Sequence, residues 1–429
     1  MARCALRASI RIVLLLRNKA FTFFWLARTI SFAGTGITTV VLPVLIYQMT
    51  GSPGWVAAVS AVEAVPYLAF GVFAGALADR LDRKKIMVAC DLAAAVLLVS
   101  VPVTAMAHLL VLAQLLVVAV GVAVVYVWFD AARFGALSVL VERSQLPVAS
   151  SIVDSSCSVA LLVAPTAGAA LLAVMRPSYA LGFDAASYVI SAALLSSIRR
   201  PLGHQGPRRD GRGSLRADIA EGLQFLWGNR MIRTMTLSVF CVCLAWGGTF
   251  GLLVVYASRA IHLVRADVRL GLLYSAGELG GLIAAIALPM LIKRLALDRL
   301  VLAFMVADVA TLALLAAAPS YGWALLAFFG YELAYVMVVT ASVINRQLLT
   351  PDHLQARVNT AGRMIAWGGS PVGAMLGGVL VTVLSVRVAF GLLAVSGIAA
   401  AVLLACSRRE APVPATISAS PSAEAEASG

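Results

Sequence analysis

The sequence predicts an all-α integral membrane protein with twelve spanning helices in two six-helix halves of matching layout. Three observations carry this expectation. Hydrophobic residues make up 61% of the chain and charged residues 12%, against about 45–50% and about 25% in soluble domains, so much of the surface has to face lipid. Apolar runs of membrane length, about 20 residues each, recur along the 429 residues. The halves also repeat: Ala164-Pro165-Thr166-Ala167-Gly168 and Ser370-Pro371-Val372-Gly373-Ala374 lie 206 residues apart (371 − 165), close to half the chain.

In chain order, residues 1–20 are a basic segment. The apolar run after it is too long for a signal peptide and has no small-residue cleavage site. Spans are predicted at 21–47, 55–77, 86–106, 109–129, 151–174 and 179–198, forming an N-terminal bundle over 21–198. Residues 199–231 are a polar linker rich in Gly, Pro and Arg. Within it, Leu215 to Trp227 has apolar residues at helical spacing and predicts an amphipathic helix on the membrane surface. The second bundle, 232–406, is predicted to hold spans at 232–257, 269–292, 299–318, 321–345, 358–383 and 386–406. Residues 407–429 are Ala, Ser, Pro and Glu and predict a disordered tail.

Charge sets the expected orientation. Arg3, Arg7, Arg11 and Arg17, the Arg80–Lys85 cluster, the linker arginines and Arg408–Arg409 all fall on one side if both termini are cytoplasmic. The net charge of +13 does not indicate nucleic acid, because the cations lie between apolar runs and form no basic domain. The Arg-for-Lys bias with abundant Ala, Gly and Val suggests a GC-rich bacterial genome, so the expected location is the bacterial cytoplasmic membrane.

Several chemistries are not expected. The six cysteines form no C-x-x-C pair, and His108, His204, His262 and His353 fall in loops or at span ends, so no metal site or cofactor is predicted. There is no G-x-x-x-x-G-K-[ST] loop and no G-x-S-x-G elbow with a partner His, so neither an ATPase nor another enzyme is expected.

The stretch Gly75-Ala76-Leu77-Ala78-Asp79-Arg80-Leu81-Asp82-Arg83-Lys84-Lys85 between the second and third spans resembles the signature loop of the major facilitator superfamily. Further segments resemble that superfamily's branch of enterobactin exporters and macrolide-efflux proteins. They include Phe24-Trp25-Leu26-Ala27-Arg28-Thr29-Ile30-Ser31, Phe129-Asp130-Ala131-Ala132-Arg133, Glu221-Gly222-Leu223-Gln224-Phe225-Leu226 and Arg363 through Gly373. The likeness runs from about Trp25 to about Phe390. Three departures stand out. Asp82 occupies a position that is often Gly, Ala replaces two glycines around Pro165, and the loop after the eighth span lacks its Gly and Asp.

The resemblance implies a secondary transporter working by alternating access, a functional monomer in the lipid bilayer that moves a small molecule against protons. Export of an amphipathic, siderophore- or macrolide-like solute is the leading expectation. An importer of the same architecture and a non-transporting receptor or scaffold are the rivals. The resemblance also implies a gate of Gly75, Asp79, Arg80, Arg83 and Asp130. In it Asp79 faces the start of the eleventh helix, and Arg83 pairs with Asp130. Gly75 and Asp79 share a helix face by their spacing, and a carboxylate suits a helix N-terminus.

Ionisable residues inside spans are costly and default to function. Arg28, Glu63, Glu278, Glu332 and Arg363 are therefore the candidates for proton coupling or substrate binding. Glu63 lies 17 residues before Arg80 and Glu278 lies 16 before Arg294, equivalent depths in the two halves. Glu278 is the first choice, because Gly277, Gly280 and Gly281 let a neighbouring helix shield it. Pairing of these acids with Arg28 or Arg363 is the structural alternative. Asp91, Asp184 and Asp308 are read as structural, and Asp154 carries no assignment. Phe23, Phe32, Tyr126, Trp246, Tyr331 and Tyr335 are expected to line the cavity. Pro165, Gly168, Pro371 and Gly373 are expected to give smooth helices at the interface of the halves.

Overall fold

A computed structural model describes residues 15, 17–78, 81–142, 145–199, 202, 215–263, 267–351 and 354–409. The first half contains α1 (Lys19–Thr50), α2 (Pro53–Ala78), α3 (Arg83–Met106), α4 (Leu112–Leu140), α5 (Leu146–Val174) and α6 (Pro177–Ser196). The linker carries α7 (Leu215–Gly228). The second half contains α8 (Arg230–Gly251), the short α9 (Leu253–Arg259), α10 (Val268–Ile292), α11 (Leu297–Ala317), α12 (Tyr321–Leu349), α13 (Gln355–Trp367), α14 (Gly369–Val383) and α15 (Val386–Arg409). There is no strand among the described residues. Eleven segments are long and apolar enough to cross a membrane by length and composition, and α2, with 26 residues, is a further long apolar helix. Two predicted spans are interrupted: the seventh breaks at Leu252 between α8 and α9, and the eleventh at Gly368 between α13 and α14.

Helix ends follow local chemistry. The Asn18 side chain accepts from the backbone N–H groups of Ala20 and Phe21 and donates to the Leu140 carbonyl at 3.0 Å, tying the start of α1 to the end of α4. Gly51 ends α1 at φ 63°, a left-handed conformation that glycine adopts without penalty. Asp82, the departure from the superfamily loop, is the N-cap of α3 and accepts from the N–H groups of Lys84 and Lys85. Asp267 caps α10. The hydrogen bond from the Arg269 side chain holds its carboxyl below the ordinary carboxylate range, so this cap is present at neutral pH and lost in acid.

The halves are built on equivalent helix pairs. In the first, α1 and α5 meet at glycines: a Cβ at Gly168 would lie 3.1 Å from the Ile37 Cα, and one at Gly36 2.6 Å from the Ala164 Cβ. In the second, α8 and α14 meet more closely still. Cβ atoms at Gly247 and Gly373 would overlap the carbonyl oxygens of Ser370 and Leu244. Across the halves α5 packs on α10 and α2 on α14. Gly271 lies against the Pro165 carbonyl, and Gly378 against Ala57.

The described cross-half contacts cluster on the side away from the chain termini. Arg259 Nε donates to the Tyr47 hydroxyl at 3.1 Å, Thr166 and Ser275 hydroxyls are 2.8 Å apart, and Gly251 faces Ser60. On the terminus side the described bridge is aromatic: the Tyr67 and Trp367 rings are 5.6 Å apart.

The linker helix α7 is only partly as predicted. Its apolar face does not lie free on a membrane surface. Leu226 is buried with Ile232, Leu354, Val358 and Ala361, Glu221 pairs with Arg357, and Gly222 rests on the Arg357 backbone. Trp227 stays exposed.

Candidate functional site

The intramembrane acids separate by environment. Glu332 sits eleven residues into α12. Its side chain is buried and accepts a hydrogen bond of 2.8 Å from Trp246 Nε1 of α8. Trp246 stacks on Phe250 and on Tyr335, with ring centroids 4.8 and 5.2 Å apart, and Phe250 meets Tyr274 of α10 edge-on at 5.4 Å. Glu278 of α10 is half-buried and is an electrostatic neighbour of Glu332. The glycines of α10 do admit a close helix, and what they shield is Glu332. A Cβ at Gly277 would lie 2.9 Å from the Glu332 Cγ, and Gly280 sits against the Phe329 carbonyl. Glu63 of α2 is exposed despite its depth in the span. It shares a helix face with Tyr67 and Phe70 and is an electrostatic neighbour of Tyr274.

Neither intramembrane arginine is answered by one of these acids. Arg28 of α1 is buried, with its Cζ 4.5 Å from the Phe32 ring centroid and 4.8 Å from that of Phe129. Arg363 of α13 lies 5.6 Å from the Tyr67 ring and 5.8 Å from the Trp367 ring. The alternative of simple acid–arginine pairing therefore does not hold among the described residues.

At the predicted gate, Gly75 lies within α2, while Asp79 and Arg80 lie outside the described residues. The expected Arg83–Asp130 pair is replaced. Asp130 takes Arg133, three residues on in its own helix, at 2.5 Å, and Arg133 also approaches Asp154 at 3.7 Å. Arg83 is buried and donates to the Gly135 carbonyl at 3.0 Å. It fills the space that a side chain at position 135 would take, which leaves the short Asp130 side chain to its near neighbour.

The other buried acids differ from one another. Asp91 accepts from Ser191 at 2.6 Å, and Asp184 from Thr38 at 2.5 Å and from Ser187 at 3.1 Å. Asp308 has no exposure and no hydrogen-bond partner at either oxygen among the described residues. Tyr331, expected in the cavity, is instead fully buried in the core beside Phe328. Tyr67, Phe129, Phe250, Tyr274 and Trp367 were not expected at the site. Two carried a signal: Trp367 follows Arg363 by four residues and Tyr67 follows Glu63 by four, the spacing of one helix face. Phe129 and Tyr274 reach the site only through packing. No cluster of His, Cys, Asp or Glu suited to a metal occurs among the described residues.

Comparison with known proteins fits this arrangement. The family model described as Major Facilitator Superfamily matches residues 24–370. The chain is 24% identical over 356 residues to the multidrug efflux pump Tap of Mycolicibacterium fortuitum, covering 81% of this chain and 86% of that protein. It is 27% identical over 375 residues to the enterobactin exporter EntS of Salmonella typhi, covering 85% and 86%. Among solved structures, the nucleoside transporter NupG aligns with a TM-score of 0.72 at 12% identity, covering 91% of this chain and all of that one. A bacterial homolog of the human lysosomal transporter Spinster, inward-facing and occupied, aligns at 0.73 and 14% identity, covering 93% and 99%. An all-helical fold with eleven candidate spans among the described residues and a family match across most of the length make this chain a member of the Major Facilitator Superfamily, a multi-pass membrane transporter of small molecules and not an enzyme.

Proposed function

We propose that this protein is a proton-coupled exporter of a small amphipathic solute, acting as a monomer by alternating access in a bacterial cytoplasmic membrane. The observation that carries the reading is Glu332. It is a carboxyl buried at mid-span, held by Trp246 and next to Glu278, beside the helices that join the two halves. A carboxyl can take up and release a proton, which a fixed charge cannot, so Glu332 is the natural carrier of one. Relatives described as a multidrug efflux pump and an enterobactin exporter support export, and the aromatic lining around Trp246 suits an amphipathic, siderophore- or macrolide-like cargo. The bundles 21–198 and 232–406 are the two rocking bodies in this reading. The 199–231 linker rides on the second through α7, and residues 1–20 and 407–429 lie in the cytoplasm. Asp79, Arg80, Arg83 and Asp130 close the cytoplasmic side when the far side opens.

The test uses inside-out proteoliposomes and a panel of amphipathic fluorophores. An inward-acid pH gradient should drive accumulation, and a protonophore should abolish it. Accumulation that survives the protonophore, or that reverses direction, contradicts the reading. Orientation is checked separately by reporter fusions. Fusions at Gly206 and Ala107 should give opposite readouts, with Gly206 cytoplasmic.

A further inference from the structure

Arg28 is the anomaly of this molecule. It is 2% exposed, its Nε has no hydrogen-bond acceptor, and no ion-pair partner reaches it among the described residues. A buried carboxyl can discard its charge by taking a proton, but a guanidinium in a protein cannot. Leaving a charge buried and unanswered is among the costlier arrangements in a fold. Phe32 and Phe129 offset part of that cost through cation–π contact. Such contacts use the face of the guanidinium and leave its in-plane Nε–H without an acceptor.

Arg363 of the other half also lies against rings, and its side chain shares a hydrogen bond with the Tyr67 hydroxyl. It rests on Tyr67 and Trp367 and has no ion-pair partner among the described residues. Arg28 is nine residues above the start of α1 and Arg363 eight above the start of α13, about 14 and about 12 Å along their helices. Tyr126 is an electrostatic neighbour of Arg28 and of Tyr67, and Tyr67 is one of Arg363. The nearby acid Asp130 is engaged by Arg133. The path between the halves is therefore cationic and aromatic on the terminus side, and carboxylic around Glu63, Glu278 and Glu332 further in.

We propose that Arg28 and Arg363 receive the anionic group of the transported solute, and that this group is the carboxylate of an aromatic amphiphile. A planar carboxylate matches the two-pronged N–H edge of a guanidinium, and the surrounding rings suit a flat apolar body. The inference deepens the exporter reading by assigning the charge of its cargo.

The test measures binding, not transport. Purified protein in nanodiscs of uncharged phosphatidylcholine is titrated with pyrenebutyrate and with its methyl ester, read by fluorescence anisotropy. Wild type should bind the acid at least about tenfold more tightly than the ester. Arg28→Gln and Arg363→Gln should each erase most of that preference, with melting temperatures recorded to show that both variants fold. Arg28→Lys should keep part of it, since a point charge replaces the fork. Equal affinity of wild type for acid and ester overturns the proposal, as does a preference that survives both Gln variants. Asp91, whose Oδ1 also lacks a partner and which is an electrostatic neighbour of Arg28, is the internal competitor. If Arg28→Gln and Asp91→Asn prove strongly coupled in a double-mutant stability cycle, Arg28 serves Asp91 and the proposal falls. Gradient-driven accumulation of a cationic fluorophore with no Arg28-dependent carboxylate binding would leave the exporter reading standing and sink this one. The reverse pattern would do the opposite.

Discussion

Glu332→Gln is expected to abolish accumulation driven by a pH gradient while leaving counterflow of the same solute within about twofold of wild type. The substitution keeps an oxygen for the Trp246 N–H and nearly the same volume, so the local packing survives. What it removes is the ability to take up and release a proton. Counterflow needs the halves to rock but needs no net proton movement, so it separates coupling from binding. Glu278→Gln and Glu63→Gln, measured beside it, should show smaller losses, because the first is half-buried and the second exposed. Water can screen a charge there without the conformational switch. If all three variants still concentrate solute, none of these carboxyls couples transport.

Gly373→Ala is expected to cost about 3 kcal/mol, the upper end of the range for overpacking, and to cut the yield of folded protein sharply. A single methyl there would collide with the Leu244 carbonyl oxygen, and both atoms belong to helix backbones that have no rotamer to change. Gly168→Ala probes the corresponding helix of the first half, one position on in the repeat. Its added carbon would meet the Ile37 Cα and carbonyl oxygen at 3.1 Å, a shift of tenths of an ångström, so about 1 kcal/mol is expected. Fluorescence-detected size exclusion and melting curves of both variants would test the contrast. Similar losses at the two sites would show that the tight α8–α14 contact is not a rigid constraint.

The sequence alone determined the membrane class, the span pattern and the doubling of the chain. Each rests on local composition or periodicity: lipid demands an apolar surface and a closed backbone ladder wherever the chain crosses it. It also singled out Arg28, Glu63, Glu278, Glu332 and Arg363, because any charge inside a span is conspicuous. Trp367 was within reach of the same reasoning through its spacing from Arg363.

Tertiary structure decided which of those residues answer one another. The α10 glycines pointed to Glu278, yet a glycine opens space for whatever helix faces it, and the side chain that filled the space was Glu332 of α12. Asp130 was assigned to Arg83, but Gly135 draws Arg83 to a backbone carbonyl and leaves Asp130 to Arg133. The arginines that were candidates to pair with acids are held by rings, one of them Phe129, a hundred residues away in sequence. Tyr331 was placed in the cavity because its helix lines it, whereas the rotation of that helix buries it. A span's sequence states which residues cannot face lipid. Only the packing of its neighbours states what each of them faces instead, because that depends on helix rotation and contact distance, which no single helix encodes.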